Sequence, residues 1–206
     1  MIKNLVFDMG GVLVDLHPRR CVSAFSRLGF PEMASLVDSW HPRGIFEQLE
    51  LGLITGEQFC DYVRAQSGRN TSSAEIHAAC VSFIDPIPDY KLDLLAELRR
   101  RYRVLLLSNT NEIVYPYIDA HSLCRRGGSS ADYFEKVYLS YAMHDMKPSP
   151  TIFEKMIADS GIIPQETLFI DDAERNVAIG RELGFETYRP APKEDLRQVL
   201  APFLGN

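Results

Sequence analysis

The amino-acid sequence predicts an α/β protein, a Rossmann-like parallel sheet core with an inserted α-helical cap. Short apolar segments with strand character alternate with amphipathic segments, which is typical of a mostly parallel sheet covered by helices on both faces. Between the first two predicted strands, residues 17–86 contain only helix-like segments. Because this region is much longer than a simple crossover connection, we expect it to form an inserted helical unit.

Five short apolar segments are predicted strands, because each is rich in aliphatic or aromatic residues and ends at polar residues. They are residues 4–8 (NLVFD), 102–108 (YRVLLLS), 136–140 (KVYLS), 167–171 (TLFID) and 185–189 (FETYR). Their continuous apolar character favours strands that are buried on both faces of the sheet.

The segments between these strands carry start and stop signals for helices. Residues 89–102 are amphipathic and end in a basic turn, which suits a helix C-terminus. Residues 149–161 begin with Ser-Pro and end at glycine, and residues 172–184 also end at glycine. We therefore expect three helices that connect or follow the strands of the core.

The inserted region has its own punctuation and predicts a small helical domain. Its segment 55–66 opens with Thr55 and has Gln58 three residues later, the pattern of a capping box. The sequence DPIPD at 85–89 is the expected return hinge. The predicted division is a core domain of residues 1–16 and 87–206 and a cap domain of residues 17–86.

Composition excludes several classes of partner and compartment. The chain of 206 residues has a net charge of −6 at pH 7, which argues against a nucleic-acid partner. No apolar run approaches the ~20 residues of a membrane span, and MIKNLVFD does not resemble a signal peptide. The four cysteines are far apart, which favours reduced thiols. We expect a soluble cytoplasmic protein without a membrane partner, and the oligomeric state is left open.

Polar residues follow the predicted strands at the points where they end. Asp8 ends the first strand, residues 108–110 (Ser-Asn-Thr) end the second, and the pair Asp171 and Asp172 ends the fourth. Lys147 follows the third strand after a short loop. Singly, each has a structural explanation, such as a turn or a helix N-cap at Asp172. Together they predict a site at the carboxyl edge of the sheet, where open α/β sheets bind ligands.

Phosphoryl transfer through an aspartate nucleophile suits this set of groups. A carboxylate attacks phosphorus, and water hydrolyses the aspartyl-phosphate that results. Since carboxylate and phosphate repel each other, a Mg²⁺ ion is expected between them, held by Asp8, Asp172 and a backbone carbonyl. The hydroxyl of Ser108 or Thr110, backbone N–H groups and Lys147 are the predicted ligands of the phosphoryl oxygens.

The chain resembles haloacid dehalogenase superfamily hydrolases with a small helical cap. The resemblance covers essentially the whole chain through four ordered motifs: VFDMGGVLVD, LLLSNTN, MKPSP and LFIDDAERNVAIGRELG. Within the superfamily the chain is similar to phosphatases of sugar phosphates such as glucose 1-phosphate, and to the phosphatase domain of mammalian epoxide hydrolase. The resemblance implies a magnesium-dependent phosphatase acting on a small phosphorylated metabolite.

The resemblance also implies a role for each residue of the motifs. Asp8 is the expected nucleophile and a magnesium ligand, Ser108 and Asn109 are expected to bind phosphate, and Lys147 is expected to neutralise charge. Asp172 and the carbonyl of Gly10 are the further expected metal ligands. Asp171 is expected to support them, and Asn176, one turn beyond Asp172, is a candidate for orienting a metal-bound water.

One position departs from the family pattern. The resemblance implies a second aspartate two residues after the nucleophile, as general acid and base, and Gly10 occupies this position. Some members that resemble phosphatases share this Asp-x-Gly form, so the glycine does not exclude activity. Asp15 and His17, where the chain enters the cap, are candidates to replace it. Glu47 and Glu50 in the cap are further candidates, although glutamates on an amphipathic helix usually face solvent.

Besides a mutase that returns phosphate to its substrate, which the missing second aspartate disfavours, two alternative functions remain open at this stage. A 2-haloacid dehalogenase also lacks the second aspartate, but the acidic pair in IDDAERN would repel its carboxylate substrate. A catalytically weak binding protein is the other alternative, since Gly10 lacks the acid. Substrate contacts are expected from the cap, including Trp40, His41 and Arg43.

Overall fold

The structure is a computed structural model that describes residues 1–38, 41–42 and 44–204. Its strands, numbered in chain order, are β1 (Asn4–Phe7), β2 (Val37–Asp38), β3 (His41–Pro42), β4 (Arg103–Ser108), β5 (Lys136–Leu139), β6 (Thr167–Ile170) and β7 (Glu186–Tyr188). The five predicted strands are thus confirmed to within one residue at each end.

The helices are α1 (Pro18–Arg27), α2 (Met33–Leu36), α3 (Ile45–Glu50), α4 (Gly56–Ser67), α5 (Ser73–Val81), α6 (Asp89–Leu98), α7 (Val114–Ile118), α8 (Ser140–Met143), α9 (Pro150–Ser160), α10 (Glu174–Glu182) and α11 (Leu196–Leu200). A π-helical turn spans Asp119–Leu123, and 3₁₀ turns span Ser130–Asp132, Pro164–Glu166 and Ala201–Phe203.

The core is a five-stranded parallel sheet with the strand order β5-β4-β1-β6-β7. The central strand β1 places Phe7 beside both Leu106 and Ile170. The residues that follow these positions therefore meet at one edge of the sheet. This arrangement confirms the predicted Rossmann-like α/β fold.

Both faces of the sheet are covered, which explains the unbroken apolar character of β1. Leu5 and Phe7 belong to an apolar cluster that includes side chains of α6 and α11, whereas Val6 points to a second cluster that includes α9. All three side chains are fully buried. Burying a side chain of this size contributes roughly 1.5–3 kcal/mol, so the sheet position of Asp8 is strongly constrained.

Helices α1 to α5 share a separate apolar cluster. Phe59 of α4 lies at its centre, with its ring packed edge-on against Phe25 at 6.1 Å and Phe46 at 6.0 Å between centroids. The predicted capping box of α4 is present, since Thr55 and Gln58 bond each other's backbone N–H. Among the core residues, Ile113 joins this cluster.

The two segments that connect this helical region to the sheet run side by side. The N–H of His17 donates to the carbonyl of Phe83 at 2.7 Å, and the N–H of Asp85 donates to the carbonyl of Asp15 at 3.1 Å. Leu16 and Ile84 form an antiparallel bridge between these two bonds. Entry and exit are therefore held together next to the carboxyl end of β1.

Three expectations about local structure need correction. Residues 17–86 are not purely helical, since the short strands β2 and β3 pair in antiparallel fashion. Helix α6 ends at Leu98, because the arginines after it form the turn that brings the chain into β4. Asp172 is not the N-cap of its helix, because α10 begins at Glu174 with Ala173 as N-cap.

All four cysteines are free thiols, as expected. Within the described part of the chain, no helix is both long and apolar enough to cross a membrane. The cytoplasmic location stays a prediction.

Candidate active site

Asp8 lies at the carboxyl end of the central strand and is the geometric centre of the site. Its N–H donates to the carbonyl of Ile170 at 2.8 Å, which continues the hydrogen bonding between β1 and β6 for one more residue. The residue is 8% exposed, so its carboxylate reaches solvent only through the cavity above the sheet. Ser108 ends the neighbouring strand β4 and Asp171 follows β6, so both flank Asp8.

Lys147 bridges the carboxylates of Asp8 and Asp171, which directly follow β1 and β6. Its Nζ atom donates to Asp8 Oδ1 at 2.8 Å, to Asp171 Oδ2 at 2.6 Å and to the carbonyl of Leu107 at 2.8 Å. The ammonium group therefore has all three protons in hydrogen bonds although the residue is buried. Burial alone lowers the pKa of Lys147, but the carboxylates of Asp171 and Asp8 outweigh it, and the pKa lies above its ordinary value.

The loop after β4 positions this lysine. The side-chain amide of Asn109 donates to the carbonyl of Lys147 at 2.8 Å, and its oxygen accepts the N–H of Lys147 at 2.9 Å. The next hydroxyl, Thr110 Oγ1, is buried and lacks a hydrogen-bond partner among the described residues. Thr110 and Ser108 are both among the residues that line the cavity.

Asp8, Asp171 and Asp172 form a cluster in which one oxygen of each carboxylate lies within 4.8 Å of the others. Burial is the main reason that the pKa of Asp8 is raised to about 6 and that of Asp172 to about 8. The neighbouring carboxylates raise both further, and Lys147 offsets part of the effect. Three carboxylates facing a single ammonium group form the oxygen-rich, anionic donor set that a divalent cation such as Mg²⁺ requires.

Asp171 and Asp172 have different surroundings. Asp171 is completely buried and accepts hydrogen bonds from Lys147, from the N–H of Ala173 at 2.8 Å and from the amide of Asn176 at 3.0 Å. Asp172 instead lines the cavity and faces Gly11. The sequence predicts that Asn176 orients a metal-bound water. In the structure its side-chain amide donates hydrogen bonds to Asp171, and the residue borders the same cavity as Asp172.

Gly10 and Gly11, which follow Asp8 and Met9, are glycines for different structural reasons. Gly11 has φ +70°, and a Cβ atom there would lie 1.8 Å from Asp172 Oδ2. Only glycine therefore lets Asp172 approach this loop. Gly10 lines the cavity, and a Cβ atom there would meet only the side chain of Leu16, at 3.0 Å.

The cavity above the sheet has a volume of about 410 Å³. Asp8, Asn109, Lys147 and Asp172 line its base, and the helical region contributes Cys21, Phe46 and Glu50. Burial, assisted by the charges of Asp8 and Glu47, raises the pKa of Glu50 to about 8. Glu47, one turn earlier in α3, is exposed to solvent.

The structure does not place Asp15 or His17 among the cavity-lining residues. The His17 ring nitrogen Nε2 lies 2.6 Å from Asp85 Oδ2, and Arg20 binds the other oxygen of the same carboxylate at 2.6 Å. The carbonyl of Asp15 accepts from the N–H of Asp85. Both candidates therefore belong to the paired connecting segments.

Of the three residues expected to contact substrate from the cap, Trp40 and Arg43 lie outside the described residues. For His41 only the backbone, in β3, is described.

Two residues near the site were missed in the sequence. Ser140 directly follows β5 and is completely buried, and Arg189 directly follows β7 and lines the cavity. Arg189 Nε donates to the carbonyl of Asp172 at 3.1 Å. Inspecting the end of every strand, including β5 and β7, would have identified both.

Comparison with known proteins places the whole chain in one family. A protein-family model described as a haloacid dehalogenase-like hydrolase matches residues 2–184. The D-ribitol-5-phosphate phosphatase of Bacteroides thetaiotaomicron is 41% identical over 206 residues, covering 100% of both chains.

Solved structures agree with this assignment. A haloacid dehalogenase family enzyme of Bacteroides thetaiotaomicron in complex with magnesium and inorganic phosphate is 45% identical. The match has a TM-score of 0.91 and covers 97% of this chain and 99% of that chain. A predicted hydrolase of the same family from Porphyromonas gingivalis is 36% identical, with a TM-score of 0.91 and 98% of both chains covered.

Proposed function

Because the chain belongs to the haloacid dehalogenase-like hydrolases, we propose that it is a magnesium-dependent phosphatase of a small phosphorylated sugar or alditol. The observation that carries the proposal is the surroundings of Asp8. A strand-end carboxylate held by a buried lysine, with two further carboxylates and the Ser108–Thr110 loop beside it, is equipped for phosphoryl transfer. We assign residues 1–16 and 87–206 to the core domain and residues 17–86 to the cap that covers the cavity.

The donor set fits magnesium, and we assign its ligands within the chain. The carboxylates of Asp8 and Asp172 and the carbonyl of Gly10 border the cavity and would hold the ion. Asp171 supports this set by binding Lys147 and Asn176. When bound, the ion supplies positive charge that offsets the repulsion between the phosphate and these carboxylates.

The residues of the chain then divide the reaction between them. Asp8 attacks phosphorus and becomes an aspartyl-phosphate, and water later releases inorganic phosphate from it. Lys147 keeps Asp8 ionised and oriented, and its charge favours the approach of the phosphoryl group. The hydroxyls of Ser108 and Thr110 and the N–H groups of their loop are assigned to the phosphoryl oxygens.

The substrate class is proposed from the relative and from the cavity. The relative that is 41% identical is named for a five-carbon alditol phosphate. A cavity of about 410 Å³ is at the small end of the ~300–1,000 Å³ range of ligand pockets, which suits a metabolite of about that size. Apolar side chains of the cap and hinge, including Phe46, Phe83 and Ile84, line the rest of the cavity.

The site geometry disfavours the two alternatives. A dehalogenase would have to bring a carboxylate substrate against three clustered carboxylates, of which only Asp8 and Asp171 pair with Lys147. A binding protein would not need a lysine buried between Asp8 and Asp171, because removing such an ion pair from water carries a desolvation cost that the fold alone does not require. The phosphatase uses every member of this arrangement.

A substrate panel tests the proposal. D-Ribitol 5-phosphate, D-ribose 5-phosphate, D-glucose 1-phosphate and p-nitrophenyl phosphate are incubated with the protein, and phosphate release is measured with Mg²⁺ and with EDTA. We expect magnesium-dependent turnover that is lost in Asp8→Asn. The proposal is wrong if no ester releases phosphate, and chloride release from 2-chloropropionate would favour the dehalogenase.

A further inference from the structure

The proposed reaction needs a proton donor that position 10 of this chain does not supply. The leaving alkoxide of an alkyl phosphate must be protonated, and Gly10 has no side chain at the position where the family pattern has an aspartate. Asp171 is fully buried and accepts hydrogen bonds from Lys147 and Asn176. Asp8 is assigned as the nucleophile, and Asp172 is assigned as a metal ligand. Glu174 of α10 also lines the cavity, but its carboxylate pairs with Arg189 at 3.0 Å, which favours the cap as the source of the proton.

Glu50 is the cap residue with suitable chemistry at this cavity. It is the last residue of α3, and it lines the cavity together with Asp8, Gly10 and Asp172. Glu47 lies one turn earlier in the same helix and is exposed. The helix thus directs one of its two glutamates toward the reacting groups and leaves the other in solvent.

The backbone that carries Glu50 is fixed against the phosphate-binding loop. Ser140 Oγ lies 2.7 Å from the carbonyl oxygen of Glu50 and 2.8 Å from that of Thr110, and it accepts the N–H of Thr110 at 2.9 Å. Ser140 is completely buried. A single hydroxyl therefore links the end of α3 to the loop that is assigned to the phosphoryl oxygens.

The segment after Glu50 is held to the core by further contacts. The carbonyl of Leu51 lies 3.0 Å from His144 Nδ1, and the N–H of Gly56 donates to Glu112 Oε1. Gly52 packs so closely that a Cβ atom there would lie 2.1 Å from the carbonyl oxygen of Tyr141. These contacts restrict how far Glu50 can move away from the site, as a catalytic acid requires.

We propose that Glu50 is the general acid and base of the phosphatase reaction and replaces the aspartate that is missing at position 10. This proposal rests on the proposed function, since it assigns a further residue to the same reaction. Burial raises the pKa of Glu50 to about 8, the direction that favours a protonated carboxyl group.

The steps balance in protons and charge. Asp8 forms a bond to phosphorus while the bond from phosphorus to the ester oxygen breaks, and the Glu50 proton moves to that oxygen, giving the free alcohol and a Glu50 carboxylate. In the second step this carboxylate takes a proton from water as the water oxygen bonds to phosphorus. The bond between phosphorus and Asp8 breaks, which releases hydrogen phosphate and restores both side chains.

Glu50→Gln and the matched control Glu47→Gln test the proposal on a series of esters graded by leaving-group pKa. For Glu50→Gln we expect kcat/KM to fall ~10²–10⁴-fold on alkyl phosphates and less than about tenfold on p-nitrophenyl phosphate. Because water activation is also impaired, p-nitrophenol should appear in a burst close to the enzyme concentration. Glu47→Gln should match wild type in both measurements.

Three outcomes would overturn the proposal. One is an equal fall on alkyl and aryl esters, which indicates a structural role. Another is a large rise in the Mg²⁺ concentration needed for activity, which indicates a metal ligand. The third is wild-type activity in Glu50→Gln. The proposed function has its own readout, because wild type must release phosphate with Mg²⁺ and Asp8→Asn must not; if wild type is inactive, both proposals are wrong.

Ser140→Ala adds a test of positioning. Without the hydroxyl, the end of α3 is no longer linked to the Thr110 loop, so alkyl-phosphate turnover should fall more than aryl-phosphate turnover. If turnover of alkyl and aryl phosphates changed by the same factor relative to wild type, at an unchanged melting temperature, the placement of Glu50 would be contradicted.

Discussion

The side-chain amide of Asn109 holds the main chain of Lys147 through two hydrogen bonds, one donated and one accepted. The loop after β4 thus orients a lysine 38 residues away in the sequence. The lysine in turn bridges Asp8 and Asp171. The position of the Lys147 ammonium group therefore depends on the Asn109 amide, which binds the main chain of the lysine and not the ammonium group itself.

Asn109→Asp tests this dependence. A carboxylate can accept the N–H of Lys147 but cannot donate to its carbonyl, so the loop should shift and misplace Nζ. We expect kcat to fall ~10²-fold, the typical effect of an ångström-scale displacement. Phosphate release is measured beside the melting temperature. Unchanged kcat would show that Lys147 is positioned without the amide.

Asp8→Asn should remove activity and preserve the fold. An amide cannot form the acyl-phosphate, and removing a nucleophile costs ~10⁴–10⁶-fold in comparable enzymes. Binding of beryllium fluoride, which mimics an acyl-phosphate, provides a second measurement by ¹⁹F NMR. Wild type should bind it with Mg²⁺ and the variant should not. A variant that retains substantial turnover would show that another residue attacks phosphorus.

Asp172→Ala and Asp171→Ala should fail in different ways. Asp172 faces the cavity, so its removal should weaken Mg²⁺ binding by calorimetry with little loss of stability. Asp171 is fully buried and pairs with Lys147, so its removal should reduce the free energy of unfolding by ~3–5 kcal/mol. Equal effects of the two changes on Mg²⁺ affinity would contradict this assignment.

Gly10→Asp should restore part of the activity of Glu50→Gln on alkyl phosphates. The backbone of Gly10 is not among those with positive φ, and an added Cβ atom meets only the flexible side chain of Leu16. The new carboxyl group borders the cavity and can supply the proton. Gly11→Ala is the contrasting variant and should be inactive, because its Cβ atom would collide with Asp172. Failure of Gly10→Asp to improve alkyl turnover would indicate that the position is too far from the leaving oxygen.

The raised pKa of Glu50 predicts a pH dependence of stability in the metal-free protein. Its pKa is about 8 in the folded state and 4.5 in the reference state, so its contribution is fully present below about 4.5 and is lost as pH rises through about 8. The Glu50→Gln variant has no titrating carboxyl group at this position, so it does not lose this stability as pH rises. The variant should therefore become more stable relative to wild type as pH rises from about 5 to about 9.

Urea unfolding in EDTA measures this difference at each pH. Asp8 and Asp172 titrate in both proteins, so their effect largely cancels in the comparison. A difference between variant and wild type that does not change with pH would show that the Glu50 carboxyl is ionised throughout.

The positions of the five core strands along the chain and the identity of the strand-end groups could be predicted from the sequence. Each strand is a continuous apolar run, because it is buried on both faces, and a carboxylate at the end of such a run stands out. The cap strands β2 and β3 were missed, because two-residue strands have no periodicity to detect. The roles assigned to the site residues stay predictions.

The sequence by itself determined the fold family, the nucleophile candidate and the loss of the aspartate at position 10. These are properties of single residues within local motifs, and local motifs can be identified without knowing which segments meet. Only the tertiary structure decided that Lys147 lies between Asp8 and Asp171, that Asn176 binds Asp171, and that Glu50 reaches the cavity while Glu47 does not. Lys147 and Asp8 are 139 residues apart and Ser140 and Glu50 are 90 apart, so packing between distant segments, and no local pattern, brings them together.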